Sequence, residues 1–227
     1  EDLGCKSVAE ANLWKDRLIS VLERYDRNRL KAVILLGQEA WASFVSLGSF
    51  PQDIPFFGCY ASTNGIPLPD RNHPVTDKWM PESVDMIRQA DSIGNGGGSL
   101  NRYDIAKNID LIRSLYPNVD NIAFLSDNTY GGISLQALVK QEMSSHPDLT
   151  LTLIDGRNGE KKAYAAIERL PRKSVLLIGT WRVGQDGQYF MDNSLKTLLA
   201  DQPHLPVFSV SGSGIGSGAI GGYIPKY

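Results

Sequence analysis

The segment from Gly96 to Gly132 constrains the fold of this chain more than any other. Three consecutive glycines are followed by an amphipathic helix pattern, by the apolar strand Ile122–Leu125 and by a polar loop that ends in glycine. A flexible crossing that runs into a fresh strand–loop–helix unit is typical of a chain that leaves one α/β lobe and begins another. The sequence therefore predicts two lobes, residues 1–98 and residues 99–227.

Helix-patterned and strand-patterned segments alternate on both sides of that boundary. A helical apolar stripe over Val8–Tyr25 precedes the continuous apolar run Ala32–Leu36, which is typical of a strand covered on both faces. Four strand–helix steps follow the glycines, and Gly221–Ile224 has the pattern of a last strand. The alternation predicts an α/β fold of two Rossmann-like lobes, in which parallel sheets are flanked by helices.

Two connections carry further local predictions. Asn101 and Asp104 resemble a capping box, so we predict a helix over Asn101–Tyr116. The proline-rich stretch 65–81 is long for a simple connection and is interpreted as a surface excursion, over the binding face.

Composition narrows the possible functions. The chain has 227 residues, of which 42% are hydrophobic and 21% charged, and a net charge of -2. Its lysines and arginines are scattered, which argues against a nucleic-acid partner because nucleic acid requires a concentrated basic surface. There is no run of about 18 apolar residues and no signal peptide, so no membrane span is expected within the chain. Because it opens abruptly at Glu1, we interpret it as a piece of something longer.

Catalytic and cofactor motifs are weak. Gly214-x-Gly216-x-x-Ala219 fits a dinucleotide fingerprint loosely, but no helix pattern or downstream acidic residue accompanies it. No nucleophile elbow and no metal-ligand spacing is present, and the three histidines are interpreted as loop and turn residues. We therefore expect no cofactor, no metal and no enzymatic activity.

The two cysteines, Cys5 and Cys59, lie in apolar strand-like contexts. We interpret them as small buried hydrophobic residues, and whether they pair in a disulfide stays open.

Polar residues cluster where the predicted strands end. In an open α/β sheet these ends meet in one crevice, where free backbone N–H groups at helix N-termini suit carboxylates or hydroxyl-rich ligands. Within this set Tyr130 and Trp181 could supply flat apolar platforms, and Arg182 could clamp an anion. The strand-end candidates are Gln38, Glu39, Ser62, Thr63, Asp127, Asn128, Thr129, Tyr130, Thr180, Trp181, Arg182, Ser211 and Ser213.

The chain resembles type I periplasmic-binding-protein-like domains. The resemblance is carried by Leu22–Tyr25 followed by Ala32–Ala40, by Ile109–Pro117 after the glycine crossing, and by Asn121–Asp127 with Tyr130-Gly131-Gly132. It extends over nearly the whole chain and is closest to solute-binding proteins of ABC transporters and to sensor domains of bacterial hybrid two-component histidine kinases. The family's first strand and helix of lobe one, and its return from lobe two, are expected to be missing here.

The resemblance implies a ligand cleft between the lobes. Its cleft positions fall on Gln38-Glu39, Tyr60–Thr63, Asp127-Asn128, Thr180-Trp181 and the loop near Ser211, which adds Tyr60 to the strand-end set.

The resemblance also implies a role. We expect the periplasmic sensor domain of a membrane-anchored histidine kinase, which binds a small polar molecule such as a sugar or an amino-acid derivative. A transporter receptor is the alternative, and an enzyme on a Rossmann-like scaffold is the third. Pairing of the domain into a homodimer stays open.

Overall fold

A computed structural model of the chain describes residues 7–69, 72, 75, 78–189, 194–200 and 202–226. The first lobe begins with a 3-10 turn at Val8–Glu10 and ends with a glycine-rich strand. Its elements in chain order are α1 (Ala11–Leu22), β1 (Val33–Leu36), α2 (Gln38–Val45), β2 (Phe56–Ser62), β3 (Asn64–Gly65), β4 (Val84–Asp85), α3 (Met86–Asp91) and β5 (Gly96–Asn101).

The second lobe repeats strand and helix four times. A 3-10 turn at Gly156–Asn158 separates its second strand from the helix that follows. Its elements are α4 (Ile105–Leu115), β6 (Asn121–Ser126), α5 (Tyr130–Met143), β7 (Thr150–Asp155), α6 (Glu160–Glu168), β8 (Ser174–Ile178), α7 (Ser194–Ala200) and β9 (Val207–Ser209). Two parallel sheets flanked by helices confirm the predicted α/β class.

The sheet of the first lobe has three parallel strands in the order β1-β2-β5. Its inner face packs on α2, and the fit depends on Gly58: a Cβ at that position would lie 2.5 Å from the Trp41 ring. Trp41 also contacts Phe56, with ring centroids 6.0 Å apart. The inner face thus forms the core of this lobe.

The outer face of the same sheet lies open. Ile34 pairs with Phe57, which pairs with Gly97, and the side chains of Ile34 and Phe57 share that face. Ile34 is 69% exposed, Leu36 65% and Phe57 47%. The expectation that Ala32–Leu36 is covered on both faces is therefore wrong for the described residues. A continuous apolar run does not distinguish a covered strand from one with a single covered face.

The sheet of the second lobe has four parallel strands in the order β7-β6-β8-β9. One apolar cluster, around Phe124 and Leu177, lies between the sheet and helices α4 and α5. A second cluster, around Leu176 and Leu198, lies on the opposite face with α6 and α7. Strands that are covered on both faces have continuous apolar sequences, and β6 and β8 show this pattern.

Helix α5 belongs to both lobes. Leu135 and Val139 pack in the core of the second lobe, whereas Tyr130, Ile133 and Ala137 pack in the core of the first. Its buried residues therefore cover most of its circumference, which explains why α5 shows little amphipathic patterning.

Two local predictions, for the glycine run and for the start of the helix after it, are wrong. Gly96-Gly97-Gly98 is not a free crossing but the start of β5, and that strand runs across the predicted boundary at residue 98. The boundary itself stays a prediction. Asn101 lies in β5, so α4 begins after Asp104, whose carboxylate accepts from the Lys107 N–H.

The predicted last strand is also wrong. Gly221–Ile224 makes only an isolated bridge, from Gly221 to Phe208, and the segment is instead fixed to α4. The Asn108 side chain donates to the Tyr223 carbonyl at 2.9 Å and accepts from its N–H at 2.8 Å. The Asn108 side chain thus holds this segment in place of the strand hydrogen bonds that its apolar pattern predicts.

Candidate functional site

The strand order of the second lobe reverses between β6 and β8, and Asp127 lies at that point. Its Oδ1 accepts from the Thr129 N–H at 3.1 Å, the Thr129 hydroxyl at 2.6 Å and the Thr180 hydroxyl at 2.8 Å. Its Oδ2 accepts from the Arg182 N–H at 2.7 Å. Asp127 is fully buried, so this carboxylate ties together the loops that follow the two strands.

Of the predicted site residues near Asp127, some are buried in the core and others lie at the surface. Trp181 is buried in the cluster beneath α6 and α7, whereas the Arg182 side chain is exposed. Asn128 is buried, and its carbonyl accepts from the Val8 N–H at 2.7 Å. The loop after β9 is anchored by the Ser211 hydroxyl, which donates to the Gly179 carbonyl and lies 3.0 Å from the Ser213 hydroxyl.

The two lobes meet along a polar interlobe seam formed by Gln38, Asn64, Ile66, Tyr130 and Ser134. Gln38 Nε2 donates to the Ser134 hydroxyl at 3.2 Å and to the Asn64 carbonyl at 3.1 Å. Asn64 Nδ2 donates to the same Ser134 hydroxyl at 3.0 Å. The carboxyl ends of β1 and β2 thus face the N-terminal half of α5.

Tyr130 closes the seam. Its hydroxyl donates to the Ile66 carbonyl at 2.6 Å and accepts from the Ile66 N–H at 2.9 Å. Burial raises the pKa of the Tyr130 hydroxyl, so that it stays protonated and keeps both bonds. The ring packs against Trp14, with centroids 5.9 Å apart. The ring therefore offers no face to solvent in this structure.

The remaining candidates of the first lobe lie near the end of β2. Glu39 is buried at the start of α2, and the Ser62 hydroxyl donates to the Asn64 carbonyl at 2.6 Å. Tyr60 is the one non-glycine residue of the described chain with a positive φ, 55°, and it lies at a bulge between Cys59 and Ala61. Tyr60 is 73% exposed. Bulges and strained backbone are enriched beside functional sites, where they redirect a side chain.

A cavity of about 300 Å³, the junction cavity, adjoins the seam. Thr63 and Asn64 line it from the first lobe, Leu138 and Gln141 from α5, and Arg102 from the crossing between the lobes. Asp85 also lines it; its carboxylate caps α3 and lies 3.6 Å from the Arg88 guanidinium. An arginine and an aspartate in one small polar cavity suit a ligand that carries both charges.

Several of these residues are not predictable from the sequence. Ser134 lies on a helix face that periodicity assigns to the core, and Arg102 follows a glycine run whose pattern indicates a flexible crossing rather than a strand. A further missed group is the Arg157–Asp155 ion pair, at 2.5 Å, whose guanidinium also donates to the Trp79 carbonyl at 2.7 Å. Through Trp79 the proline-rich excursion is attached to the second lobe. His73 and five other positions of that excursion lie outside the described residues, as do residues 1–6, which include Cys5.

Other candidate chemistry finds little geometric support. Over the described ranges, no group of three or more His, Cys, Asp or Glu side chains could hold a metal ion. The glycine loop from Gly212 to Gly218 consists of turns with positive φ at Gly214 and Gly216, and no helix follows it in residues 219–226. A pyrophosphate would therefore meet no helix N-terminus there.

Cys59 is half-buried and free, which differs from the full burial expected of it. No helix in the part of the chain that the structure describes is long and apolar enough to span a bilayer.

Comparison with solved structures identifies the same two-lobed fold elsewhere. A conserved domain protein from Vibrio cholerae O1 biovar El Tor matches with a TM-score of 0.50 and 16% identity, over 93% of this chain and 63% of that one. The ABC domain from Streptococcus pneumonia in complex with L-Trp matches with a TM-score of 0.50 and 13% identity, over 90% of this chain and 63% of that one. This chain thus spans less than two thirds of either protein. Neither a protein-family model nor a curated protein matches it.

Proposed function

We propose that this chain is a ligand-binding domain of the substrate-binding-protein type, and that a small polar molecule binds where its two lobes meet. The observation that carries the proposal is the junction cavity, which both lobes and the crossing between them line. Its volume of about 300 Å³ is at the lower end of the range for small-molecule sites. Such a position lets a ligand bridge the lobes and shift their relative arrangement.

The charges of the cavity favour an amino-acid-like ligand over a sugar. Arg102 offers a guanidinium for a carboxylate, and Asp85 offers a carboxylate for an ammonium group. The L-Trp complex of the Streptococcus domain is consistent with this chemistry, although its identity to this chain is only 13%. The seam residues Gln38, Asn64 and Ser134 are then the groups that rearrange when the lobes move, and Asp127 keeps the second lobe rigid.

The finer proposal is that the domain is the extracytoplasmic sensor of a membrane-anchored two-component histidine kinase. A ligand with different affinity for two interlobe arrangements would shift their populations and so signal. A receptor of an ABC transporter fits the same fold and the same cavity. The reading frame around this sequence separates them: a membrane span and a kinase follow a sensor domain, whereas a leader or lipoprotein cysteine precedes a transporter receptor.

Binding is tested by a thermal-shift screen of the purified chain against L-amino acids including L-Trp, sugars, nucleosides and dicarboxylates. A ligand at about 100 times its Kd adds about 2.7 kcal/mol to the free energy of unfolding, which raises Tm measurably. Each hit is then titrated by calorimetry into the wild type, Arg102→Ala and Arg172→Ala. Arg172 is exposed on the second lobe and is the matched control.

We expect Arg102→Ala to lower the affinity for a carboxylate ligand by about tenfold or more, because one charge-assisted hydrogen-bonded pair is lost. Arg172→Ala should leave the affinity unchanged. If no compound of the panel raises Tm, although the chain melts cooperatively, the proposed function is contradicted. If the two variants bind the ligand with equal affinity, the binding site does not lie in the junction cavity.

A further inference from the structure

A second cavity lies in the first lobe, at the end of the sheet opposite the junction cavity. It is about 450 Å³ in volume and is formed by the end of α1, the loop before β1, and the loop that joins α2 to β2. Both loops precede their strands, so this basal cavity lies at the amino ends of β1 and β2. The four residues of β1 alone separate the two ends of the sheet by about 13 Å.

The floor of the basal cavity is apolar and fixed. Phe50 packs edge-on against the buried Phe44, with centroids 4.8 Å apart, and its N–H donates to the Ile93 carbonyl at 3.0 Å. Ile54 is buried beside it. Half-buried apolar side chains complete the lining, and they are Ile19, Leu22, Leu30, Leu47 and Pro51.

The walls are equally well defined. Ile19 and Leu22 share one face of α1 with Lys15, at the helical spacings i, i+4 and i+7. The loop that carries Leu30 is held by a turn at Asp26, whose carbonyl accepts from the Leu30 N–H at 3.1 Å. The cavity is therefore a preformed concavity within the usual range of small-molecule sites, roughly 300–1,000 Å³.

The rim is charged. Lys15 and Arg27 line the cavity together with Glu23, and the sum of these three charges is +1. Neither Lys15 nor Arg27 has an ion-pair partner among the described residues. A concavity with an apolar floor and two uncommitted cations at its rim is complementary to an apolar molecule that ends in an anion.

We propose that the basal cavity binds an amphipathic carboxylate, with the hydrocarbon on the floor formed by Phe50 and Ile54 and the carboxylate between Lys15 and Arg27. This site is independent of the junction cavity, because the two lie at opposite ends of the sheet. Its occupancy would stiffen the contact between α1 and α2 and leave the interlobe seam in place.

The probes are octanoate, which carries the anion, and octan-1-ol, which has the same chain without it. Calorimetry compares the wild type, the double variant Lys15→Glu/Arg27→Glu, and the control Lys162→Glu/Arg172→Glu, which makes the same charge change on the second lobe. We expect the wild type to bind octanoate about tenfold more tightly than octan-1-ol, since two partly exposed ion pairs supply that factor. The double variant should lose the preference and the control should keep it.

A cavity-filling variant checks the location without changing charge. Ser49 is exposed at the cavity lining, so Ser49→Trp should abolish binding of both probes while far-ultraviolet dichroism stays native. No octanoate binding by the wild type, undiminished binding by Ser49→Trp, or equal loss in the control variant would each overturn the proposal. Arg102→Ala should not affect octanoate, which keeps this test separate from that of the junction cavity.

Discussion

At the scale of single residues, the structure assigns distinct tasks to side chains that look alike in the sequence. Asp127 and Arg182 both follow a strand, yet one carboxylate is fully buried and accepts four hydrogen bonds while the other side chain is exposed. Tyr130 and Tyr60 are both aromatic candidates, yet only Tyr60 offers its ring to solvent. Substitutions of the buried, hydrogen-bonded side chains therefore test stability, whereas substitutions of the exposed ones test binding.

Asp127→Asn should destabilise the second lobe. The amide keeps the shape but cannot accept at both oxygens, so its NH₂ group faces either the Arg182 N–H or the three donors at Oδ1. We expect a loss of about 2–3 kcal/mol in the free energy of unfolding, measured by urea titration. Asp110→Asn, at an exposed position of α4, is the control and should change it by less than about 0.5 kcal/mol. A loss below 1 kcal/mol for Asp127→Asn would contradict the structural role.

Tyr130→Phe should cost about 1–3 kcal/mol, because both backbone groups of Ile66 lose a buried partner. Tyr25→Phe, at an exposed position, is the control. Burial raises the pKa of the Tyr130 hydroxyl in the folded state above the ordinary tyrosine value of about 10. Above pH 10 the unfolded chain therefore releases this proton while the folded chain keeps it, so stability falls as the pH rises. The fall should be shallower in Tyr130→Phe, and identical slopes would contradict the assignment.

At the scale of elements, the two faces of β1 differ sharply. Leu35 points into the core of the first lobe, whereas Ile34 lies on the open face beside it in the same strand. The periodicity of a strand places neighbouring residues on opposite faces, but it does not say which faces are covered. Adjacent positions in one strand thus give a matched pair.

Leu35→Ala should cost about 2–5 kcal/mol in the free energy of unfolding, since it leaves a cavity against α2. Ile34→Thr should change it by less than about 0.5 kcal/mol, because the side chain is already mostly in water and threonine keeps the β-branched shape. Urea denaturation measures both. A large loss for Ile34→Thr would show that the open face is covered in solution.

At the scale of the whole molecule, α5 joins the lobes through two cores. Ile133 and Ala137 lie in the first, Leu135 and Val139 in the second. Because one helix completes both cores, the lobes should unfold together rather than in sequence.

Hydrogen exchange in increasing urea tests that coupling. We expect amides of β2 and of β6 to reach the same free energy of opening. Ile133→Ala should lower both by a similar amount, about 2–4 kcal/mol, although the side chain packs only in the first lobe. Loss confined to β2 would show that the lobes are independent.

The sequence predicted most elements to within a few residues. α1, β1 and β6 form at the patterns predicted over Val8–Tyr25, Ala32–Leu36 and Ile122–Leu125, because each pattern is a local property of the backbone and its side chains. The prediction is wrong at Gly96–Asn101, where the glycines suggested a flexible segment but the backbone pairs with β2 as a strand. It is also wrong at Gly221–Ile224, where the Asn108 side chain, not strand pairing, holds the segment in place. In the candidate site, the strand ends were predictable from topology, but Ser134 and Arg102 were not.

What the sequence alone determined is therefore the α/β class, the repeat of strand and helix in two lobes, and the strand ends where polar residues gather. These follow from local spacing. Only the tertiary structure decided that Asp127 and Tyr130 are occupied by internal partners, that one face of the first sheet is open, and that Arg102 and Asp85 line one cavity. Those outcomes depend on which segments meet in space, and the hydrogen-bonding capacity of a side chain is assigned only once they have met.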